Sequence, residues 1–210
     1  MRLQICRQSA PLNKQSPPYF VAFAPYGDKK PVLSLWYYFF ERNNIIKQQK
    51  QTDMQKITPF LWFNNNAEEA IQFYSTIFKN VRITDKLLNG ADGPGPKGSL
   101  LTATFEIEGN TFMALNGGPE FPFTEAFSMF VACDTQAEID EKWEKLSAGG
   151  QKSQCGWLKD KFGLSWQIAP PVLLERLKDK DPVKASRTMQ AMMKMSKIII
   201  KDIEDAYNEK

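Results

Sequence analysis

From Met54 onward the apolar and polar positions fall into two periods, and they do so twice in the same order. Residues 57–63 alternate every second position, the pattern of a half-buried strand. Asn64, Asn65 and Asn66 then offer a helix cap, and Glu68 and Glu69 stand in the first turn, where the helix dipole favours acids. Ala70, Phe73, Tyr74 and Ile77 fall on one face of a helix predicted to reach Phe78. Residues 81–88 read as a strand and 89–98 as a Gly/Pro loop expected to lie flexibly over a cavity mouth. Residues 100–107 and 111–115 read as a hairpin turned at Glu108-Gly109-Asn110.

The second round opens with a strand at 127–133. Asp134-Thr135 caps a helix over 136–148 with Ile139, Trp143 and Leu146 inward, and Gly149-Gly150 ends it. Residues 154–168 read as two short strands joined by a tight turn. In the last strand, 164–169, Leu164, Trp166 and Ile168 point one way and Ser165 and Gln167 the other. A polar pair opposite an apolar face suits a strand lining a cavity. The pattern predicts an α+β fold of two paired βαβββ modules, about 54–120 and 121–170, in one domain at 54–170. Neither small sheet can bury both faces alone, and small-molecule sites favour such module junctions. A helical tail, 171–210, follows. It has short helices at 172–178 and 183–195, with Pro182 at the first helical position of the second, and a last one from about Ile198. Met189, Met192, Met193 and Met195 form a soft stripe, suited to packing or to an adaptable contact surface.

Residues 1–53 follow neither period. An apolar patch at 32–40 starts late for a signal peptide and ends in bulky aromatics, so the stretch reads as an unstructured or upstream extension. It also distorts the charge. It holds eight Lys/Arg against three Asp/Glu, a net of +5, whereas the rest holds 19 against 21, a net of −2. The chain's overall +3 therefore gives no argument for nucleic acid. No apolar run is long enough for a membrane span. Three cysteines (Cys6, Cys133, Cys155) do not read as a disulfide framework, and a cytoplasmic setting is expected.

The chain has no histidine. That removes the usual general base, nucleophile activator and metal ligand. Cys155 reads as a buried structural thiol. Asp160 reads as an Asx turn before Lys161-Phe162-Gly163, with general base as the bolder role. The prolines of the 93–98 run and the strand after it argue against a nucleotide or methyl-donor cradle.

Several motifs in order carry a family resemblance: Ile57-Thr58-Pro59-Phe60-Leu61-Trp62-Phe63, Ala67-Glu68-Glu69-Ala70 with Phe73-Tyr74, Phe112-Met113-Ala114-Leu115-Asn116-Gly117-Gly118-Pro119, and Cys155-Gly156-Trp157 through Trp166-Gln167-Ile168. Over 54–197 the chain resembles the PhnB-like proteins of the vicinal-oxygen-chelate (glyoxalase/bleomycin-resistance) superfamily, often labelled 3-demethylubiquinone-9 3-methyltransferase. The resemblance implies a homodimer and, in the superfamily's enzymes, a divalent metal on positions that map near Thr58, Ala114, Ser128 and Gln167. Only Gln167 is a plausible ligand among these, short of the roughly four donors zinc takes. The expected function is binding of a small organic molecule in an aromatic-lined cavity, with no metal and no cofactor. Thr58, Trp62, Asn116, Ser128, Ser165 and Gln167 are the expected contacts. Trp62 should share a face with Thr58, and Asn116 one with Ala114 and Phe112. An enzyme with an unusual metal site or metal-free chemistry is the alternative, and a Met-rich tail recruiting a partner is a third reading.

Overall fold

The computed structural model describes residues 56–209. The expectations for 1–53 lie outside them. The first module comprises β1 (Phe60–Phe63), α1 (Ala67–Ser75), β2 (Val81–Leu88), β3 (Leu100–Ile107) and β4 (Asn110–Asn116). The second comprises β5 (Ser128–Ala132), α2 (Gln136–Ser147), β6 (Gln151–Lys152), β7 (Trp157–Lys159) and β8 (Ser165–Ala169). Each is a βαβββ unit. The sheets run β1-β4-β3-β2 and β5-β8-β7-β6, with β1 parallel to β4, β5 parallel to β8, and every other pair antiparallel. This is the α+β pair of modules that the periodicity predicts.

Local chemistry explains the boundaries. The strand expected at 57–63 begins only at Phe60, because Pro59 has no N–H to continue a ladder. Ile57 is left 84% exposed. Glu108 and Gly109 both take the left-handed backbone of a tight two-residue hairpin turn, with φ 46° and 81°. α2 carries a complete capping box, in which Thr135 accepts from the Glu138 amide and the Glu138 carboxylate accepts from Thr135. α1 has no such device. Asn66 makes no side-chain cap bond; the Ala67 amide instead donates to Oδ1 of Asn116, 2.9 Å away at the end of β4. α1 also stops at Ser75 rather than Phe78, and its last turn tightens, the amides of Thr76, Ile77 and Phe78 bonding back to Phe73 and Tyr74.

One core runs through both modules. Leu61, Phe63, Phe105, Phe112 and Ala114 cover one face of the first sheet and meet Tyr74 of α1. Ile139, Trp143 and Leu146 of α2 cover Leu158, Trp166 and Ile168 of the second. Trp166 bridges the two, stacked on Phe78 (5.6 Å between ring centres) and edge-on to Tyr74 (5.3 Å). Each sheet therefore has one face packed under its helix, and the other is open except where Ser165 and Ala169 of β8 are themselves buried.

The Gly/Pro loop is not a loose flap. It is wrapped around the buried Asn89, whose side chain accepts from the Gly95 amide and donates to Ser99 Oγ. Its backbone also pairs with Gly98 and Ser99. The tail forms α3 (Pro171–Leu177), α4 (Pro182–Met193) and α5 (Ile200–Asn208). Asp181 caps α4 by accepting from Val183 and Lys184. The tail is pinned to the second module by the Cys155 and Gly156 amides on Met195 and Ser196, and by Gln136 on Ile198 and Ile200. Met192 and Met195 pack into the small core of the tail, whereas Met189 and Met193 are exposed, so the methionine stripe divides between packing and surface. Among the described residues no helix is long and apolar enough to cross a membrane.

Candidate ligand site

The open face of the second sheet is built in rows. Pairing sets Ser128 beside Ser165, Ser165 beside Lys159, and Lys159 beside Gln151, so one polar row crosses all four strands. Phe130, Gln167 and Trp157 form the next row. Neighbours in such a row project from the same face with Cβ atoms about 5 Å apart. Gln167 donates from Nε2 to Ser128 Oγ at 2.8 Å. Lys159 Nζ pairs at 2.6 Å with Oε1 of Glu125, which arrives from the irregular connection between β4 and β5. That lysine holds the exposed Glu125 carboxyl below the usual range. Ser165 is completely buried, and its hydroxyl has no hydrogen-bond partner among the described residues, unlike nearly every other buried polar group in folded proteins. Ser165, Lys159, Glu125, Trp157, Gln151 and Cys155 line a cavity of about 390 Å³.

A larger cleft of about 1130 Å³ lies beside it, between the end of α1, the β3–β4 turn, β5 and α2. Its floor is Phe78, Phe112, Met129 and Trp166, and its rim carries Lys79, Glu108, Glu138 and Lys142. Among the aromatic strand residues, Phe105, Phe112 and Trp166 turn into the core, while Phe60, Trp62 and Phe130 stand on the open faces.

The expected contacts separate. Ser128, Ser165 and Gln167 come together on the second sheet. Trp62 is on the open face of the first, its indole donating to Gly118 O at 2.9 Å and its ring edge-on to Phe121. Thr58 is half-buried, two residues ahead of β1. Asn116 does share a face with Ala114 and Phe112, but that is the face buried under α1. Both ends of its amide are committed there, to Ala67 and to Leu100 O. The Trp166 indole N–H, on the face of β8 opposite Ser165 and Gln167, donates to Asp160 Oδ2 at 2.9 Å. Lys159, Glu125 and Gln151 are the lining residues that sequence reasoning missed. Only the strand pairing puts them in one row with Ser165.

The positions to which a superfamily metal would map do not suit one. Ala114 is a methyl buried under α1, and the Ser128 hydroxyl already accepts from Gln167. Among the described residues no three His, Cys, Asp or Glu side chains converge.

Asp160 is the other concentration of polar chemistry. It is 2% exposed. Oδ1 accepts from the amides of Phe162 and Leu164, which is the expected Asx turn, and Oδ2 accepts from Tyr74 Oη and Trp166 Nε1 at 2.8 and 2.9 Å. Burial pushes its carboxyl above the usual range, against four hydrogen bonds that pull the other way, and the same burial pushes up the Tyr74 phenol. Enclosed on every side, Asp160 ties α1 to the second module and reaches no substrate as a base. The two described cysteines are unpaired. Burial raises the Cys133 thiol to about 11. Cys155, expected to be buried, is half-exposed in left-handed backbone (φ 57°), with its sulfur 3.9 Å from that of Met193.

The family model described as 3-demethylubiquinone-9 3-methyltransferase matches residues 55–169, which span both sheets. Among solved structures, a PhnB protein from Bacillus cereus that carries the same methyltransferase description is 38% identical, with a TM-score of 0.51 over 55% of this chain and 99% of that one. A protein from Pseudomonas aeruginosa is 24% identical (TM-score 0.44, 54% and 96% covered). The fosfomycin resistance protein FosX of Listeria monocytogenes is 17% identical (TM-score 0.46, 61% and 100% covered). Comparison with curated proteins finds no match.

Proposed function

This chain belongs to the 3-demethylubiquinone-9 3-methyltransferase family, as a PhnB-like protein of the vicinal-oxygen-chelate superfamily, and from that premise we propose that it binds a small organic molecule on the open face of its second sheet without a protein-ligated metal. One observation carries the reading: a wholly buried hydroxyl, Ser165 Oγ, has no partner among the described residues and lines a cavity large enough for a small molecule. Gln167 and Ser128 supply further hydrogen-bonding groups, with Trp157 and Phe130 as apolar neighbours. Methyl transfer gains no support from the glycine-rich run. It opens strand β3 rather than a helix, and the amides of Gly95 and Gly98 are turned inward on Asn89. Unpaired thiols at Cys133 and Cys155 favour a reducing, cytoplasmic setting.

A homodimer belongs to the same reading. β1 and β5 each end a sheet with an open edge, and Phe60 and Phe130 on them are 51% and 47% exposed. Such edges invite pairing unless covered. Sedimentation equilibrium of the full chain should give a dimer, and Phe130→Lys should shift it toward monomer.

The binding reading is tested on the full chain purified without a histidine tag. Elemental analysis should find far less than one metal per chain, and divalent ions should leave the melting temperature in place. Members of an apolar small-molecule set should raise it. Near-stoichiometric metal lost in Gln167→Ala would overturn the metal-free reading in favour of the enzyme alternative.

A further inference from the structure

The geometry points to an anion subsite on the second sheet: Lys159 and Ser165 take the carboxylate of a small organic acid, and Glu125 occupies that place until the acid displaces it. This rests on the binding reading above and names the class of ligand. The row Ser128–Ser165–Lys159–Gln151 consists of two hydroxyls, one ammonium and one amide. Nothing in the row itself is negative. Among the described residues the one carboxylate lining the cavity comes from outside the sheet, on the connection between β4 and β5. Glu125 has 64% of its side chain exposed, and Lys159 31%. An ion pair this exposed is a weak tie, readily exchanged for another anion.

Ser165 supplies the second, independent part. Lys159 and Ser165 are direct cross-strand partners, so their side chains rise side by side into the same cavity. Glu125 satisfies the ammonium but leaves the Ser165 hydroxyl unpaired. A buried hydroxyl without a partner is costly, and an anion placed deeper than Glu125 would relieve it by accepting from Oγ and Nζ together. A carboxylate is the group already seated on the lysine. Trp157, one row along on the same face, offers a ring for the body of the acid.

The test is calorimetric titration of the full chain with benzoate and with benzamide, its neutral isostere. Benzoate should bind about tenfold more tightly, the worth of one charge-assisted hydrogen bond. Lys159→Met should bring benzoate down to the level of benzamide. Ser165→Ala should weaken benzoate without lowering the melting temperature, since it removes an unpaired group. Glu125→Gln should tighten benzoate about two- to fivefold, the range of an exposed ion pair, and leave benzamide unchanged. Equal affinities for the two compounds, or a Glu125→Gln protein that binds benzoate no better, overturns the subsite. Where both compounds then weaken together in Trp157→Ala, the organic-molecule site survives that failure. Where neither compound binds and no apolar compound raises the melting temperature, the subsite and the binding reading fall together. Inorganic phosphate, titrated alone, should bind more weakly than benzoate; the reverse order overturns the carboxylate assignment.

Discussion

Asp160→Ala is expected to lose about 4 kcal/mol of unfolding free energy or more, which leaves little of a typical domain's stability. Four donors converge on this carboxylate, and removing it strands Tyr74 Oη, Trp166 Nε1 and the Leu164 amide in a buried interior and leaves the partly buried Phe162 amide unpaired. Each stranded group costs about 1–3 kcal/mol, less than additively. Smaller changes should rank in order. Asp160→Asn keeps an acceptor for the two amides but turns an NH₂ toward the Trp166 indole, which can only donate. It should cost about 2 kcal/mol, because one buried donor is left facing another. Tyr74→Phe removes a single bond and should cost about 1 kcal/mol. Urea denaturation of the three variants checks the order. A loss below about 1 kcal/mol in Asp160→Ala would show that the donors find other acceptors.

Gly150→Ala should be nearly as damaging for a different reason. An added Cβ at Gly150 would fall onto the carbonyl oxygen of Lys159 and within 2.7 and 2.9 Å of Asp160 backbone carbons. No side chain can swing aside, so the turn after α2 must move from β7. Overpacking of this kind costs about 3 kcal/mol. The melting temperature should fall by about 10 °C for a domain of this size. Gly90→Ala is the control: its Cβ would meet nothing within 4 Å, and the expected change stays inside about 0.5 kcal/mol. If the two substitutions cost alike, the crowding at Gly150 is not what holds the turn.

The order of elements was legible in the sequence because each strand and helix carries its own period. The local devices were legible too: the cap at Asp134-Thr135, the Asp181-Pro182 helix start, and half of Asp160's role, which its own turn announces. The parity of β4 was not. Phe112 through Leu115 are apolar at every position, so alternation cannot say that Phe112 and Ala114 are buried under α1 while Met113 and Leu115 face out. Asn116 follows that parity onto the α1 side, where its amide is held by Ala67 and Leu100. The other half of Asp160's role needs Tyr74, 86 residues away. Ser165 was marked by its place opposite Leu164 and Trp166. Lys159 looked like surface charge beside a turn, and nothing short of strand pairing joins it to Ser165 and Gln151.

The unequal capping of α1 and α2 has a consequence for the order in which the chain folds. α2 closes its first turn with residues three positions apart, a contact available within the earliest local excursions of the chain. α1 borrows its cap from Asn116, 49 residues downstream, and cannot have it until β4 lies alongside β1. Closing that loop carries an entropy cost that the other helix avoids. The two modules, alike in topology, should therefore acquire structure in sequence, the C-terminal one leading. Pulse-labelled hydrogen exchange should then find the amides near Glu138 protected before that of Ala67.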